Sequence, residues 1–362
     1  MKQTLFNKIQ TQYGFNLPFV AYKKPKTDVL TGVFQEDNTL HLSTTFNESG
    51  FVMAPFNMEN QSVIIPFDKV IEERYISENT NESGSIANNE AGKEDHISLV
   101  EKGVEFIKKG EFEKVVLSRK ESVLISEKSP IDLFEALLNT YLNAFVYVWY
   151  HPKVGCWLGA TPEVLLSTHA KRFKTMALAG TQLYKEEVAW GNKEKQEQQF
   201  VTDFIIGELN TVTNKLQVSE PYTVQAGKLA HIRTDITGSF NVSLKEVIER
   251  LHPTPAVCGL PKKAAKNFIM KNETYDREYY TGFLGELNKP IERRNNRRNT
   301  ENKAYQFSTT ESNLFVNLRC MQYENNQVAI YVGGGITKDS NPEMEFQETV
   351  NKTSTMKKVL LN

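Results

Sequence analysis

Leu314-Phe315-Val316-Asn317-Leu318-Arg319-Cys320-Met321-Gln322-Tyr323 is followed by Glu324-Asn325-Asn326 and then by Gln327-Val328-Ala329-Ile330-Tyr331-Val332. Two runs of strand formers around a short polar break are a hairpin signal. Lys114-Val115-Val116-Leu117-Ser118-Arg119, Ala144 to Tyr150 and Val154 to Gly159 add further strands. His96 to Lys109 carries apolar residues at helical spacing, and residues 131–143 also read as a helix. A last helix opens with Ser340 or Asn341 as cap and Pro342 in its first turn; Phe346, Val350, Met356 and Leu360 mark its apolar stripe. Strands joined by hairpins, together with several helices, predict an α+β fold with much antiparallel sheet.

The bulk numbers narrow the function. At 362 residues and 40% hydrophobic, the chain can bury a large core. Its net charge of −1 offers no global field for nucleic acid or an anionic membrane. No apolar run is long enough to span a bilayer, and the start lacks a signal-peptide stretch. Cys156, Cys258 and Cys320 lie far apart with no Cys-x-x-Cys, as expected for reduced, buried thiols in a cytoplasmic protein. Two polar stretches, residues 77–95 and 288–303, read as surface loops; the second holds Arg293, Arg294, Arg297 and Arg298, diluted by Glu292 and Glu301.

Two acidic pairs stand out. Glu345 and Glu348 are three residues apart, with Lys352 one turn on, and Glu194 and Glu197 repeat that spacing. On helices each pair shares one face. The pairs are either two solvated faces or an oxygen cage, and an all-carboxylate cage suits a hard cation such as Mg²⁺ better than zinc.

Other residues stay ambiguous singly. Lys114 is either at a solvated strand edge or in a pocket, where burial disfavours its charge and makes it a base. Glu163 follows a Gly/Pro turn; it is a solvated or capping group, or a buried acid with a raised pKa. Arg319, read inside the strand Phe315–Met321, needs a carboxylate partner from the protein or a ligand. Gly333-Gly334-Gly335, read as following a strand, and Gly180-Thr181 let a ligand approach the backbone. His231 and His252 have no metal spacing, and His252 beside Pro253 reads as structural. Phosphate-loop, dinucleotide and Ser/His/Asp patterns are missing.

Taken in order, eight segments resemble the chorismate-utilising enzyme family, in its isochorismate synthase branch. They are Lys114–Arg119, Gly159-Ala160-Thr161-Pro162-Glu163, Leu178-Ala179-Gly180-Thr181, Leu251 to Gly259, Asp276 to Gly282, Val316 to Cys320, Gly333–Ile336 and Glu345 to Lys352. The resemblance implies a single domain over 1–362 with stacked, mainly antiparallel sheets flanked by helices. Residues 1–95 would be its N-terminal portion and 96–362 the catalytic one.

It further implies Lys114 as general base, Glu163 as general acid and His231 near the substrate ring. Gly180, Thr181, Ala256, Arg319, Gly333 and Lys352 would hold the substrate. Glu197 and Glu348 would face Mg²⁺ directly, with Glu194 and Glu345 acting through waters. The expected reaction turns chorismate into isochorismate, for menaquinone or siderophore biosynthesis. Lysine at position 114 suits the water-using branch, so no glutaminase subunit is expected. Salicylate synthase and a non-catalytic chorismate-binding homologue are the alternatives.

Overall fold

The computed structural model describes residues 3–77, 90–125, 128–226, 229–291 and 309–361. The Arg293–Arg298 cluster and most of the loop expected at 77–95 lie outside these residues, while Lys93, Glu94 and Asp95 belong to a helix. The first part of the chain gives α1 (Gln3–Gly14), β1 (Phe19–Lys23), β2 (Val29–Phe34), β3 (Leu42–Ser43), β4 (Gly50–Ala54), β5 (Ser62–Pro66) and β6 (Lys69–Arg74). Next come α2 (Lys93–Lys108), β7 (Lys114–Leu124), α3 (Pro130–Thr140), β8 (Phe145–His151), β9 (Gly155–Thr161), β10 (Val164–His169), β11 (Arg172–Leu183) and α4 (Asn192–Asn210). They are followed by β12 (Thr213–Val218), β13 (Tyr222–Ala226), β14 (Leu229–Phe240), α5 (Leu244–Leu251), β15 (Gly259–Leu260) and α6 (Lys262–Asn272). The chain closes with β16 (Phe283–Ile291), β17 (Thr309–Val316), β18 (Cys320–Glu324), β19 (Gln327–Ile336) and α7 (Pro342–Leu361).

The strands form two antiparallel sheets. The first runs β15-β7-β19-β18-β9-β8-β1-β2-β6, and the second β12-β14-β11-β10-β17-β16-β4-β5-β3, with β13 also on β14. The N-terminal strands enter both sheets: β1 pairs with β8, and β4 with β16. The expected α+β fold of stacked antiparallel sheets is what forms.

Side-chain alternation explains the stacking. In β8, Phe145, Tyr147 and Trp149 point into a core shared with Phe51, Met53, Leu284 and Phe315 of the second sheet. Val146 and Val148 point the other way, to a core with Leu133, Phe134, Met356 and Val359 from α3 and α7. In β4, Val52 and Ala54 likewise face Val201, Ile205 and Val247 of α4 and α5. Both faces of each sheet are therefore buried, which is why β8 reads as a continuous apolar run. Phe145 stacks on Phe315 across the sheets, with centroids 4.2 Å apart. Truncating either ring to alanine should cost about 3–5 kcal/mol.

The hairpin is as expected. Glu324 pairs with Gln327, leaving Asn325 and Asn326 as a two-residue turn with φ of 48° and 59°. α7 starts after Asn341, whose Oδ1 accepts from the Met344 N–H at 3.0 Å. Two local expectations are corrected. Leu314 to Tyr323 is not one strand: β17 ends at Val316 in the second sheet and β18 begins at Cys320 in the first. Arg319 sits on the turn between them with φ 48°, because the chain must change sheets there. Gly333, Gly334 and Gly335 do not follow a strand; they lie within β19, opposite Ser118, Leu117 and Val116 of the longer β7.

Among the described residues no helix is long and apolar enough to cross a membrane.

Candidate active site

β7 and β19 supply the floor. β18 pairs with β19 only as far as Met321 with Ile330. Among the described residues, β19 beyond Ile330 thus has β7 on one edge and no strand on the other. Helix α7 packs on β19, and α4 packs on β11 and β14 of the second sheet. The three glycines of β19 are where side chains from these elements arrive.

Lys114 opens β7 and is 2% exposed. Its Nζ donates to Glu197 Oε1 of α4 at 2.7 Å. A methyl group on Gly335 would lie 3.0 Å from Lys114 Cε and 3.1 Å from that Glu197 oxygen. The missing side chain therefore makes room for the pair. One residue earlier, a methyl on Gly334 would lie 3.4 Å from Glu345 Oε2 of α7. Lys352, also on α7, donates from Nζ to the Gly333 carbonyl at 2.8 Å. Three successive glycines thus meet, in turn, Lys352, Glu345 and the Lys114–Glu197 pair.

Three of the four glutamates have a local partner. Glu197 has Lys114, and Glu348 pairs with Lys352 at 2.7 Å, one turn along α7. Buried Glu345 accepts from Ser340 Oγ at 2.7 Å. Glu194, in the first turn of α4, curls back so that its Oε2 would lie 2.7 Å from a methyl on Gly191. Successive strand positions face opposite ways, so Glu345 and Glu197 reach β19 from its two sides. Among the described residues, no three His, Cys, Asp or Glu side chains converge closely enough to hold an ion as they stand. The residues nevertheless fit a hard cation: every donor is a carboxylate, Glu197 and Glu348 are 30% and 47% exposed, and Gly335 leaves room beside Glu197.

Glu163 follows β9 and is 7% exposed. Burial pushes its carboxyl up to about 7, against the opposing pull of the Lys114 charge. That mutual influence links Glu163 to Lys114, although they stand on β7 and the β9–β10 turn. Near neutral pH such a carboxyl can release or take up a proton.

Gly180 interrupts the β11–β14 register with φ 69°, a bulge that a side chain would strain. Its carbonyl faces His231 Nδ1 at 3.1 Å, and the Thr181 backbone lies opposite His231 in the ladder. Burial first, then the Arg319 charge, holds the His231 imidazole down to about 4. The ring is therefore neutral at pH 7. With a carbonyl at Nδ1 the proton belongs there, which leaves Nε2 as an acceptor.

Arg319 is partly buried, and burial lowers its pKa, opposed by Tyr141. Among the described residues no carboxylate lies within ion-pair distance of it. Ala256 lies in the turn after α5, two residues before the Cys258 carbonyl that accepts from Val116 N–H, so that turn hangs on the Lys114 strand. His252 is buried, with Nε2 on the Phe56 carbonyl at 3.2 Å, the structural role expected of it. The sequence reading offers Ser340 only as a helix cap and misses its bond to Glu345, and it passes over Tyr141, which nothing local flags.

Buried Lys114, held by Glu197, acts electrostatically on buried Glu163, and the charges of Arg319 and Lys352 act on His231, so basic and acidic groups from both sheets influence one another across this region. Profiles described as chorismate binding enzyme match residues 61–292 and 304–358. The chain belongs to the chorismate-binding enzyme family. It is 30% identical over 276 residues to isochorismate synthase MenF of Escherichia coli strain K12, covering 72% of this chain. It spans only 59% of that relative's length. The solved structure of MenF, the menaquinone-specific isochorismate synthase from Escherichia coli, matches with a TM-score of 0.79 at 22% identity, over 95% of this chain and 89% of that one. The structure of DhbC from Bacillus anthracis matches with 0.78 at 24% identity, over 99% of this chain and 100% of that one. At these identities the two structures speak for the fold.

Proposed function

We propose that the chain is an Mg²⁺-dependent isochorismate synthase. Water adds at one ring carbon of chorismate and the hydroxyl leaves from another, so no redox cofactor or glutaminase partner is needed. The observation that carries this reading is the buried pair, Lys114 as base and Glu163 as an acid near neutrality. With its ion pair to Glu197 broken, Lys114 would first release its ammonium proton to solvent and then, as the neutral amine, take a proton from the attacking water. Glu163 would hand its proton to the departing hydroxyl, which leaves as water. Such acid–base help contributes about 10²–10⁴-fold.

Chorismate carries two carboxylates and no phosphate. Arg319, Lys352 and the backbone of Gly180, Thr181 and Gly333 would hold them, with His231 beside the ring as a neutral acceptor and Ala256 at the pocket wall. Glu197 and Glu348 would hold Mg²⁺ directly, and Glu194 and Glu345 through waters. The ion, when bound, would supply positive charge that clamps and polarises the ring carboxylate. We read residues 1–362 as one domain, because β1 and β4 enter both sheets beside C-terminal strands. The buried free cysteines support a cytoplasmic setting. The proposal stops at isochorismate: relatives named MenF and DhbC are about equally similar, so menaquinone and siderophore synthesis both remain open to its product.

Pure protein incubated with chorismate, with Mg²⁺ or with EDTA, tests the reading. Isochorismate formed only with Mg²⁺ is expected. Salicylate and pyruvate as main products would favour a salicylate synthase, and untouched chorismate a non-catalytic homologue.

A further inference from the structure

β7 carries more than Lys114. Arg119 and Glu121, on its opposite face, are 6% and 3% exposed. Their cross-strand neighbours Val332 and Ile330 belong to the apolar core that Met356 and Leu360 of α7 close. Charged residues are the wrong type for a strand face under a helix unless they are fully engaged.

These are engaged by α7. Arg119 Nε donates to Thr349 Oγ1 at 2.7 Å, and its Nη1 and Nη2 donate to Glu121 Oε2 at 3.2 and 3.3 Å. The guanidinium lies 5.1 Å from the Phe346 ring centre. Glu121 Oε1 pairs with buried Lys357 Nζ at 2.5 Å. The three contact points on α7 are Phe346, Thr349 and Lys357, and the first two adjoin Glu345 and Glu348.

Apolar packing alone is non-directional and lets a helix rotate or slide at little cost. A buried Arg–Glu–Lys network adds little net stability over well-packed apolar residues, yet its bonds have fixed directions. We propose that Arg119, Glu121 and Lys357 are positioning residues, a clamp that fixes the rotation and height of α7 on β7. The clamp thereby sets Glu345, Glu348 and Lys352 on the β7–β19 strand pair whose other face carries Lys114. This inference rests on the proposed function for its catalytic consequence but not for its geometric one.

The test replaces the network with apolar residues: Arg119→Met, Glu121→Leu and Lys357→Met together. Spin labels go on cysteines at Leu124 and Met344, which are 83% and 72% exposed, while the native cysteines are buried. The expected result is a melting temperature equal to or above the parent's, with a broadened or displaced label-to-label distance. Isochorismate formation should fall about 10²-fold in kcat with KM little changed, the scale of an ångström-sized misplacement. An unchanged narrow distance distribution overturns the clamp, and a changed distribution with the parent's kcat overturns its catalytic role. If the triple variant does not fold, Glu121→Gln alone is put through the same measurements, and an unchanged distance or an unchanged kcat counts against the clamp in the same way. If the parent itself leaves chorismate untouched, the proposed function fails, while the distance measurement still decides the clamp.

Discussion

Lys114 Nζ and Glu197 Oε1, from a strand of one sheet and a helix packed on the other, lie 2.7 Å apart beside the bare Cα of Gly335. This pair joins the proposed base to a proposed metal ligand, and the first predictions follow from it.

Lys114→Ala should lower isochorismate formation by about 10²–10⁴-fold. Glu197 is partly exposed and can be hydrated once its partner is gone, so the melting temperature should stay near the parent's. Steady-state kinetics alongside a thermal melt check both. Parent-like turnover in a folded variant removes Lys114 from the mechanism.

Gly335→Ala should interfere more than Gly334→Ala. The first methyl would crowd Lys114 Cε at 3.0 Å and Glu197 at 3.1 Å, whereas the second would make ordinary contact with Glu345 at 3.4 Å. The expected loss of kcat is about tenfold or more for Gly335→Ala and clearly less for Gly334→Ala, on the scale of a small misplacement. Equal kinetics for the two would mean that the space at Gly335 has no role in placing the pair.

Glu163 yields a pH signature. Its folded value of about 7 lies above the ordinary 4.5. Between those values the folded protein keeps a proton that the unfolded chain has released. The stabilising effect of that proton is therefore complete below about 4.5 and is lost as pH rises through about 7. The shift corresponds to on the order of 3 kcal/mol. Glu163→Gln buries no charge, so from pH 5 to pH 8 it should gain on the parent by that order while losing turnover. Urea unfolding at the two pH values measures it; a parent–variant difference independent of pH contradicts a buried, titrating carboxyl. Parent turnover should also decline above pH ~7, as the acid is deprotonated.

Glu348→Gln should raise the Mg²⁺ concentration needed for half-maximal turnover at least about tenfold, the usual scale for weakening a metal site. Lys352, released from its 2.7 Å ion pair, still has the Gly333 carbonyl. A metal titration superimposable on the parent's excludes Glu348 from the cation site.

Much of this was legible in the sequence, and the failures have physical causes. The Asn325-Asn326 turn and the cap of α7 are local, so their residues suffice to find them. Leu314 to Tyr323 is mostly strand formers, and the single Asn317 does not by itself mark the change of sheet at Leu318–Arg319. The glycines at 333–335 read as following a strand because glycine weakens strands, yet the long partner β7 keeps them in the ladder. Whether Lys114 is at an edge or in a pocket depends on Glu197, 83 residues away. The spacing of the glutamate pairs gives the helix face but not the partner each carboxylate takes, so the bond from Ser340, read only as a cap, to Glu345 was not legible. The strand reading of Lys114–Arg119 likewise could not show that Arg119 reaches Thr349 on α7.

The central claim is that a water-derived hydroxyl replaces a ring hydroxyl under the care of Lys114 and Glu163. Running the parent with chorismate and Mg²⁺ in ¹⁸O-enriched water tests this most directly. The account predicts isochorismate carrying one solvent oxygen in its new hydroxyl, identified by mass spectrometry and carbon NMR. Isochorismate with only its original oxygens would contradict it.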